Sequence, residues 1–248
     1  MAESIQLNFG GFVPLSTVDW RGKSVCVVFF RGCPVKCWYC HNHSILTGED
    51  RRPIEEIKEL IRSSSLLISA VIFSGGEATM QPSALLSLAE YSKSIGLLTG
   101  LQTNGVYPDV IRRLIDRRLI DHIALDIKAE WNLYTVRGKE RAVGRQVKES
   151  LTLCTRARQA GTLPDFEVVV TLFPGYGEEV MMISHDVAPG IDLVLQQGVY
   201  QGIRPLDLDN LKEIADQLGR KVRIRTRSDG EITYEGNSSS GDARIRKG

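Results

Sequence analysis

Short apolar runs recur along the chain, and most of them lack an alternation of polar and apolar positions. Strands that are buried on both faces have this pattern, because neither of their sides meets water. The predicted strands are Ser24–Phe30, Ala70–Phe73, Leu97–Thr103, His122–Ile127, Phe166–Thr171 and Ile191–Gln196. Between them lie amphipathic stretches with apolar residues three and four positions apart, which is typical of helices packed on a core. The predicted helices are Pro53–Ser63, Pro82–Ser94, Asp109–Arg118, Val147–Ala160 and Leu208–Leu218.

The alternation of strands and helices predicts an α/β fold with a parallel sheet and right-handed crossovers. Eight such units close a barrel, so six units predict an incomplete (β/α)6 barrel of the TIM type. A strand and hairpin follow at Val222–Arg227 and Glu231–Tyr234, whereas residues 174–190 form a weak helix at best. We expect an N-terminal segment over residues 1–20, the partial barrel over 21–235 and a polar, disordered tail over 236–248.

The composition limits the classes of partner and the cellular compartment. Of the 248 residues 25% are charged and 42% hydrophobic, as in an ordinary soluble domain, and the formal net charge of +1 gives no basic excess for nucleic-acid binding. The first residues lack the apolar core of a secretory signal, and no run approaches the roughly 20 apolar residues of a membrane-spanning helix. We therefore expect a cytoplasmic protein with no membrane or nucleic-acid partner. In a reducing cytosol its five cysteines favour ligands or core residues over disulfides.

The stretch "RGCPVKCWYCHNH", from Arg31 to His43, contains three of the five cysteines and two of the four histidines. It follows the first predicted strand, at the end where catalytic loops gather in parallel β/α folds. Cys33, Cys37 and Cys40, at C-x3-C-x2-C spacing, can wrap one iron–sulfur cluster. Because a four-iron cluster usually takes four cysteines, three cysteines leave one iron open to a substrate.

Two other cofactors use cysteines at similar spacing. A structural zinc site could combine the three thiolates with His41 or His43 as the fourth ligand. Cys37–His41 also matches the C-x-x-C-H attachment signature of c-type haem. The haem interpretation needs an export route and leaves Cys33 unused, so it is the weaker of the two alternatives.

The remaining cysteines, histidines and basic runs are expected to serve the fold. Cys26 and Cys154 lie within apolar stretches, where free cysteine acts as a small hydrophobic residue. The histidines expected to pack or to face solvent are His43, His122 and His185. The basic runs expected to form solvated faces are Arg112-Arg113, Arg117-Arg118 and Arg220–Arg227.

The cysteine motif, with the aromatic Tyr39 just before its last cysteine, resembles that of the radical S-adenosylmethionine (SAM) enzymes. The fuller match "CWYCHN" is similar to the glycyl-radical-enzyme activases, particularly the activating proteins of anaerobic ribonucleoside-triphosphate reductase. The resemblance runs from about Leu15 to Arg227. It implies one [4Fe-4S] cluster on the three loop cysteines, with SAM bound at the open iron. It also implies reductive cleavage of SAM and removal of a Cα hydrogen from a glycine of a partner enzyme.

The resemblance also implies a set of SAM-binding residues, namely Tyr39, Gly75, Gly76, Glu77, Gln102, Asn104, Asp126 and Lys128. In the family a Gly-Gly-Glu turn holds the amino group of SAM, with Glu77 as a charged acceptor. Lys128 would pair with the SAM carboxylate, and Asp126 would orient it or contribute to a cation site. Gln102 and Asn104 would lie on the ribose side. The activases usually have aspartate at the position of Gln102, associated with a monovalent cation, so the implied cation site is weak here.

The implied partners are a glycyl-radical enzyme, with anaerobic ribonucleoside-triphosphate reductase first, and a flavodoxin- or ferredoxin-type electron donor. Residues 172–190, where a partner loop would be gripped, match the activase pattern only loosely. One alternative is a radical SAM enzyme that acts on a small molecule or RNA. An alternative of another class is a zinc-binding module without catalysis.

Overall fold

A computed structural model describes residues 5–35, 37–128 and 143–236. The predicted C-terminal tail lies, except for Gly236, outside the described residues. Within these ranges no helix combines the length and the apolar character needed to cross a bilayer.

Ten strands and six helices make up the described fold. The strands are β1 (Gln6–Ser16), β2 (Val25–Phe30), β3 (Arg51–Pro53), β4 (Ala70–Gly75), β5 (Leu98–Thr103), β6 (His122–Ile127), β7 (Asp165–Leu172), β8 (Asp192–Gln197), β9 (Val222–Thr226) and β10 (Gly230–Tyr234). The helices are α1 (Ile54–Ser64), α2 (Pro82–Ser94), α3 (Pro108–Asp116), α4 (Gly144–Gln159), α5 (Gly177–Asp186) and α6 (Leu208–Leu218). All six predicted strands and five predicted helices are confirmed to within a few residues at their ends.

The strands form one sheet in the order β10-β9-β8-β7-β6-β5-β4-β2-β1-β3. Neighbours from β2 to β9 are parallel, and β1, β3 and β10 are antiparallel additions at the two ends. Within the described residues β3 and β10 do not pair, so the barrel stays open, and the predicted incomplete barrel is confirmed. Strand β9, which the sequence assigns to a terminal hairpin, is a seventh parallel strand. Arg21 reaches across the gap, 3.4 Å from Thr233 Oγ1 and 3.6 Å from Glu231 Oε1.

Strand β1 has no counterpart among the predicted strands. It pairs with β2 from Phe9 opposite Phe30 to Ser16 opposite Val25, and the register shifts after Phe9. This shift is a β-bulge at Gly10, where a side chain would stand only 3.0 Å from the Phe29 carbonyl oxygen. The segment therefore extends the sheet, while the domain boundary at residue 20 stays a prediction.

The segment predicted to be a weak helix at best contains α5, a helix of ten residues. It buries Val180 and Ile183 against the main core, and two acidic residues in its first turn face the positive end of the helix dipole. Burial of its apolar side thus stabilises this helix, whose signal in the sequence is weakened by the flanking prolines and glycines.

Apolar clusters lie on both faces of the sheet. The large one packs the six helices against the outer face. On the inner face, Trp20 packs with Val25, Val27 and neighbouring strand residues, and a smaller apolar group surrounds Val169. The inner face near the carboxyl ends of the strands is polar instead, and this end contains the site described next.

Candidate functional site

The carboxyl ends of the parallel strands surround a cavity of about 450 Å³. Loops after parallel strands meet at one edge of a sheet, which explains why residues far apart in sequence converge there. The structure brings together every residue that the sequence predicts for the site. Those lining the cavity are Cys33, Cys37, Tyr39, Cys40, Gly75, Gly76, Glu77, Gln102, Asn104, Asp126 and Lys128.

The cysteine loop is fixed at its base by Arg31. The guanidinium of Arg31 donates hydrogen bonds to three backbone carbonyl oxygens, those of Phe9 at 3.0 Å, Ser44 at 3.0 Å and Thr47 at 3.2 Å. At the far end of the loop, the Tyr39 hydroxyl donates to the Lys128 carbonyl oxygen at 3.2 Å. The loop is thus attached to strand β1, to its own return segment and to the end of β6.

The three loop thiols are partly buried. Burial raises the pKa of the Cys33 thiol to about 12. Burial likewise raises the pKa of Cys37 to about 11, although the nearby Lys128 ammonium opposes this rise. Within the described ranges, no three His, Cys, Asp or Glu side chains are gathered tightly enough to hold a single metal ion. Three soft sulfur donors on one loop fit an iron–sulfur cluster, which is larger than one ion.

The Gly75-Gly76 turn after β4 packs directly against the start of the cysteine loop. The Gly76 N–H donates to the Phe30 carbonyl oxygen and the Glu77 N–H to the Gly32 carbonyl oxygen, both at 2.8 Å. A Cβ atom on Gly76 would overlap the Gly32 carbonyl oxygen and stand 3.3 Å from the Cβ of Cys33. Glycine is therefore required here because two backbones meet without room for a side chain.

Glu77 is only 1% exposed, and protein donors surround its carboxylate. It accepts hydrogen bonds from Thr79 N and Oγ1, at 3.1 and 2.5 Å, from Thr103 Oγ1 at 2.8 Å and from Asn104 N at 2.8 Å. Burial raises the pKa of Glu77, while these hydrogen bonds act in the opposite direction. Glu77 thus joins the turn after β4 to the turn after β5. Its role as an acceptor for an ammonium group stays a prediction.

The side chains of Gln102 and Asn104 are bonded within the protein. Gln102 Oε1 accepts from the Ser74 hydroxyl at 2.6 Å, and Gln102 Nε2 lies 3.2 Å from Asp19 Oδ1. Asn104 Nδ2 lies 3.6 Å from the sulfur of Cys33. Both the oxygen and the nitrogen of the Gln102 amide are therefore hydrogen-bonded within the protein. That Gln102 and Asn104 contact the ribose side of SAM stays a prediction.

Asp126 and Lys128 form an ion pair at the end of β6. The Lys128 ammonium also lies over the ring of Tyr39, 5.8 Å from its centroid, within the range of a cation–π contact. Among the described residues, Asp126 Oδ1 is buried without a hydrogen-bond partner. The ion pair holds the Lys128 ammonium beside Asp126, and the predicted roles of both residues in binding SAM stay predictions.

An aromatic cluster connects the cysteine loop to the segment after β7. The Trp38 indole N–H donates to the Tyr176 hydroxyl at 3.1 Å, and its ring lies 4.6 Å from the ring of Phe173 and 5.2 Å from that of Tyr200, between centroids. Trp38 is nevertheless 45% exposed. No sequence signal singled out this cluster, because its members lie in three separate loops.

The wall opposite the cysteine loop was not predicted from the sequence. It contains Glu167, Thr171, Gln196, Gln197 and Arg225. Their signal is a polar residue inside or at the end of an otherwise apolar strand, such as Glu167 in "FEVVVT" and Gln196 in "IDLVLQ". On a strand of a partial barrel, such a residue faces the interior.

The prediction that Arg220–Arg227 forms a solvated face is wrong. Arg223 is buried and ion-paired with Glu167 and Glu231, and Arg225 contacts the same two carboxylates while lining the cavity. The strict alternation of arginines with Val222 and other apolar residues places the arginines on the inner face and the apolar residues on the helix side.

The structure confirms the other predictions for residues outside the site. Cys26 and Cys154 are fully buried in the main core. His122 is buried, while His43 and His185 are exposed.

The family model described as the radical SAM superfamily matches residues 27–187, more than half of the chain. The chain belongs to the radical SAM superfamily. The matched segment includes the cysteine loop and the ends of β4, β5 and β6, so the superfamily motif falls on the cavity described above.

This radical SAM protein is 38% identical over 142 residues to an inferred glycyl-radical enzyme activating enzyme of Methanocaldococcus jannaschii, covering 57% of this chain and 58% of the relative. It is 32% identical over 112 residues to the pyruvate formate-lyase-activating enzyme of Clostridium pasteurianum, covering 41% and 44%. The chain thus spans about half the length of the curated relatives it matches.

Among solved structures, the radical SAM fold of this chain is similar to that of TYW1 with a lysine-pyruvate adduct bound. The TM-score is 0.62 at 15% identity, with 86% of this chain and 80% of that chain covered. At this identity the likeness shows the fold and leaves the substrate open.

Proposed function

We propose that this protein is an activase that removes a hydrogen atom from a glycine of a partner glycyl-radical enzyme. The observation that carries the proposal is the cavity, where three cysteines of one loop face polar groups from neighbouring strand ends. Similarity to relatives named as activating enzymes supports the same class of activity.

In this proposal Cys33, Cys37 and Cys40 hold one [4Fe-4S] cluster, because three thiolates leave one iron without a protein ligand. A cluster bound there supplies the single electron that cleaves SAM. The chain itself positions the loop. The Gly75-Gly76 turn sets the position of Cys33 by direct packing, and Tyr39 holds the far end of the loop against β6.

The polar groups of the three neighbouring strand ends would bind SAM. Lys128, oriented by its ion pair with Asp126, is placed to meet the carboxylate of SAM. The turn that ends in Glu77 would receive the amino group, with Glu77 keeping the turn in place through its four hydrogen bonds. A cation at Gln102 is not part of the proposal, since its amide oxygen already accepts from Ser74.

The wall opposite the cysteine loop favours a peptide substrate over an anionic small molecule. Among the described residues of this wall, Arg225 is the one with a positive charge. It forms ion pairs with both Glu167 and Glu231. A substrate carboxylate or phosphate would have to compete with these carboxylates for the guanidinium. Thr171 and Gln196 add uncharged groups of the kind that hydrogen-bond to peptide amides.

Anaerobic ribonucleoside-triphosphate reductase is the partner that we place first, on the likeness of "CWYCHN" to its activating proteins. A flavodoxin- or ferredoxin-type protein is the electron donor that we propose. Both assignments rest on resemblance and need direct tests.

The test starts with anaerobic reconstitution with iron and sulfide, followed by reduction and a measurement of 5′-deoxyadenosine formed from SAM. We expect close to four irons per chain and 5′-deoxyadenosine release in the wild type. Cys40→Ala should lose both, whereas Cys154→Ala, which changes a buried cysteine far from the loop, should keep both. Zinc at one ion per chain, with no iron bound, would contradict the cluster.

The second step adds candidate glycyl-radical enzymes and a reductant, and records the electron paramagnetic resonance spectrum. A glycyl radical signal on the partner that requires SAM supports the activase. Release of 5′-deoxyadenosine without such a signal, together with turnover of a small molecule or RNA, would favour the alternative radical SAM enzyme.

A further inference from the structure

We infer that Asn104 is a positioning residue for Cys33, whose sulfur accepts a hydrogen bond from the Asn104 side-chain amide. The Nδ2–Sγ distance is 3.6 Å, within range for a sulfur acceptor, and Asn104 is buried. This inference rests on the proposed cluster site. It replaces the sequence-based expectation that the Asn104 side chain serves the ribose side of SAM.

The orientation of the amide follows from its other contact. Asn104 Oδ1 accepts a hydrogen bond from the Val106 N–H at 3.1 Å. If the amide were flipped, its NH₂ group would face that N–H and its oxygen would face the sulfur, which would lose both hydrogen bonds. The donor must therefore point at Cys33.

The backbone of Asn104 is held as firmly as its side chain. Asn104 N donates to Glu77 Oε2 at 2.8 Å, and the Glu77 carboxylate is buried and bound on its other oxygen to Thr79 and Thr103. The turn after β4 and the turn after β5 thus act together to hold one N–H donor against one cysteine sulfur. Among the described residues, neither Cys37 nor Cys40 receives a side-chain hydrogen bond at sulfur.

A donor at a ligand sulfur has a defined effect on a bound cluster. Reduction adds negative charge that spreads onto the thiolates, so the hydrogen bond stabilises the reduced cluster more than the oxidised one. Asn104 therefore makes the cluster easier to reduce. This effect concerns the cluster itself and is present before SAM binds.

The experiment is a potentiometric titration of reconstituted, SAM-free protein, followed by electron paramagnetic resonance. Asn104→Asp keeps an acceptor for Val106 but removes the N–H donor, and Asn104→Ala removes the side chain. We expect the equilibrium constant for reduction to fall about three- to tenfold in Asn104→Ala, where tenfold corresponds to about 59 mV for one electron. The fall should be larger in Asn104→Asp, which adds a negative charge.

Asn42→Ala is the matched control. Asn42 also lines the cavity beside the loop, but its amide donates to the Gly75 carbonyl oxygen, at 3.1 Å, and not to sulfur. The reduction potential of the cluster in Asn42→Ala should stay at the wild-type value. Iron and sulfide are counted in every sample, so that potentials are compared only between fully loaded proteins.

The outcomes separate this inference from the proposed function. A loaded Asn104→Ala protein with an unchanged potential but weaker SAM binding would overturn the inference and restore the ribose-side role. A wild type that holds no four-iron cluster would overturn the cluster proposal and the inference together. A shifted potential in a protein that forms no glycyl radical on any partner would support the inference and contradict the proposed activase function.

Discussion

The indole of Trp20 stacks on the imidazole of His122 inside the partial barrel, with ring centroids 4.7 Å apart and planes inclined by 19°. The indole N–H also donates to Asp165 Oδ2 at 3.0 Å. Trp20 follows β1 and comes before β2, yet it fills the interior beneath the cavity. Gly100 lines the same interior, where a Cβ atom would overlap the side chain of Ile72 and touch the indole at 3.4 Å.

Trp20→Ala should destabilise the protein by about 3–5 kcal/mol, because it removes a large buried side chain and leaves a cavity. The measurement is the free energy of unfolding by denaturant, made on cluster-free protein. Val18→Ala, two residues away and 77% exposed in the wild type, should change it by no more than about 0.5 kcal/mol. Equal, small effects of both substitutions would show that the segment before β2 does not support the interior.

Gly76→Ala should prevent normal cluster assembly. The added methyl group overlaps the backbone of Gly32, so the turn and the start of the cysteine loop have to move apart. Bound iron after reconstitution should fall several-fold, while the far-ultraviolet circular dichroism stays unchanged. Gly177→Ala is the control, since no atom lies within 4 Å of the position of its Cβ, and it should load fully. Full loading of Gly76→Ala would mean that this contact does not position Cys33.

Cys26 should resist alkylation in the folded protein, because burial raises its pKa to about 12. A raised pKa means that the folded state holds the thiol proton more tightly than the unfolded state does. Its contribution to stability is therefore complete below about pH 9, the ordinary pKa, and is lost as the pH rises towards 12. At pH 8 its thiolate should be about a thousandfold rarer than that of an ordinary cysteine.

The measurement is iodoacetamide labelling followed by peptide mass spectrometry. Labelling of Cys26 should be negligible at pH 8 under native conditions and rapid in denaturant. Cys26 labelling in the native protein at the rate of a free thiol would contradict the assignment to the core.

Arg223→Met should destabilise the protein by about 3–5 kcal/mol, since it leaves the buried carboxylate of Glu167 without its closest cation. Arg112→Met is the matched control, because Arg112 pairs with Glu149 on the exposed surface, where such pairs contribute about 0–1 kcal/mol. The free energy of unfolding distinguishes the two. If both variants lost less than about 1 kcal/mol, the ion pairs of Arg223 would not stabilise the barrel.

The parallel strands and the cysteine loop could be predicted because each has a local signal. Continuous apolar runs mark strands that are covered on both faces, and a C-x3-C-x2-C loop directly after such a strand must lie at the carboxyl edge of the sheet. The resemblance to radical SAM enzymes singled out Glu77, Asn104 and Asp126, and their positions at the ends of successive strands place them at the same edge. Their placement depends only on neighbours in sequence and on the rules of parallel sheets, whereas their roles come from the resemblance.

The features that the sequence did not reveal depend on contacts between distant residues. Strand β1 contains Gly10, Gly11 and Pro14, which weaken the strand signal, and pairing with β2 overrides them. Arginine is usually a surface residue, so the sequence around Arg223 does not predict its burial. The burial is explained by its ion pair with Glu167, 56 residues earlier. The hydrogen bond from Asn104 to Cys33 spans 71 residues and has no local signature.

The gap between the two ends of the sheet determines how the protein can deform. In a closed barrel every strand is hydrogen-bonded on both edges, so widening the mouth would break a whole ladder of backbone bonds. Here, among the described residues, the contacts that cross the gap include the half-exposed side chain of Arg21, and an exposed ion pair contributes only about 0–1 kcal/mol. Widening the curved sheet at this gap therefore breaks no ladder of backbone hydrogen bonds between the described edge strands β3 and β10, while the parallel pairing from β2 to β9 keeps the strand ends that carry the site at fixed spacing.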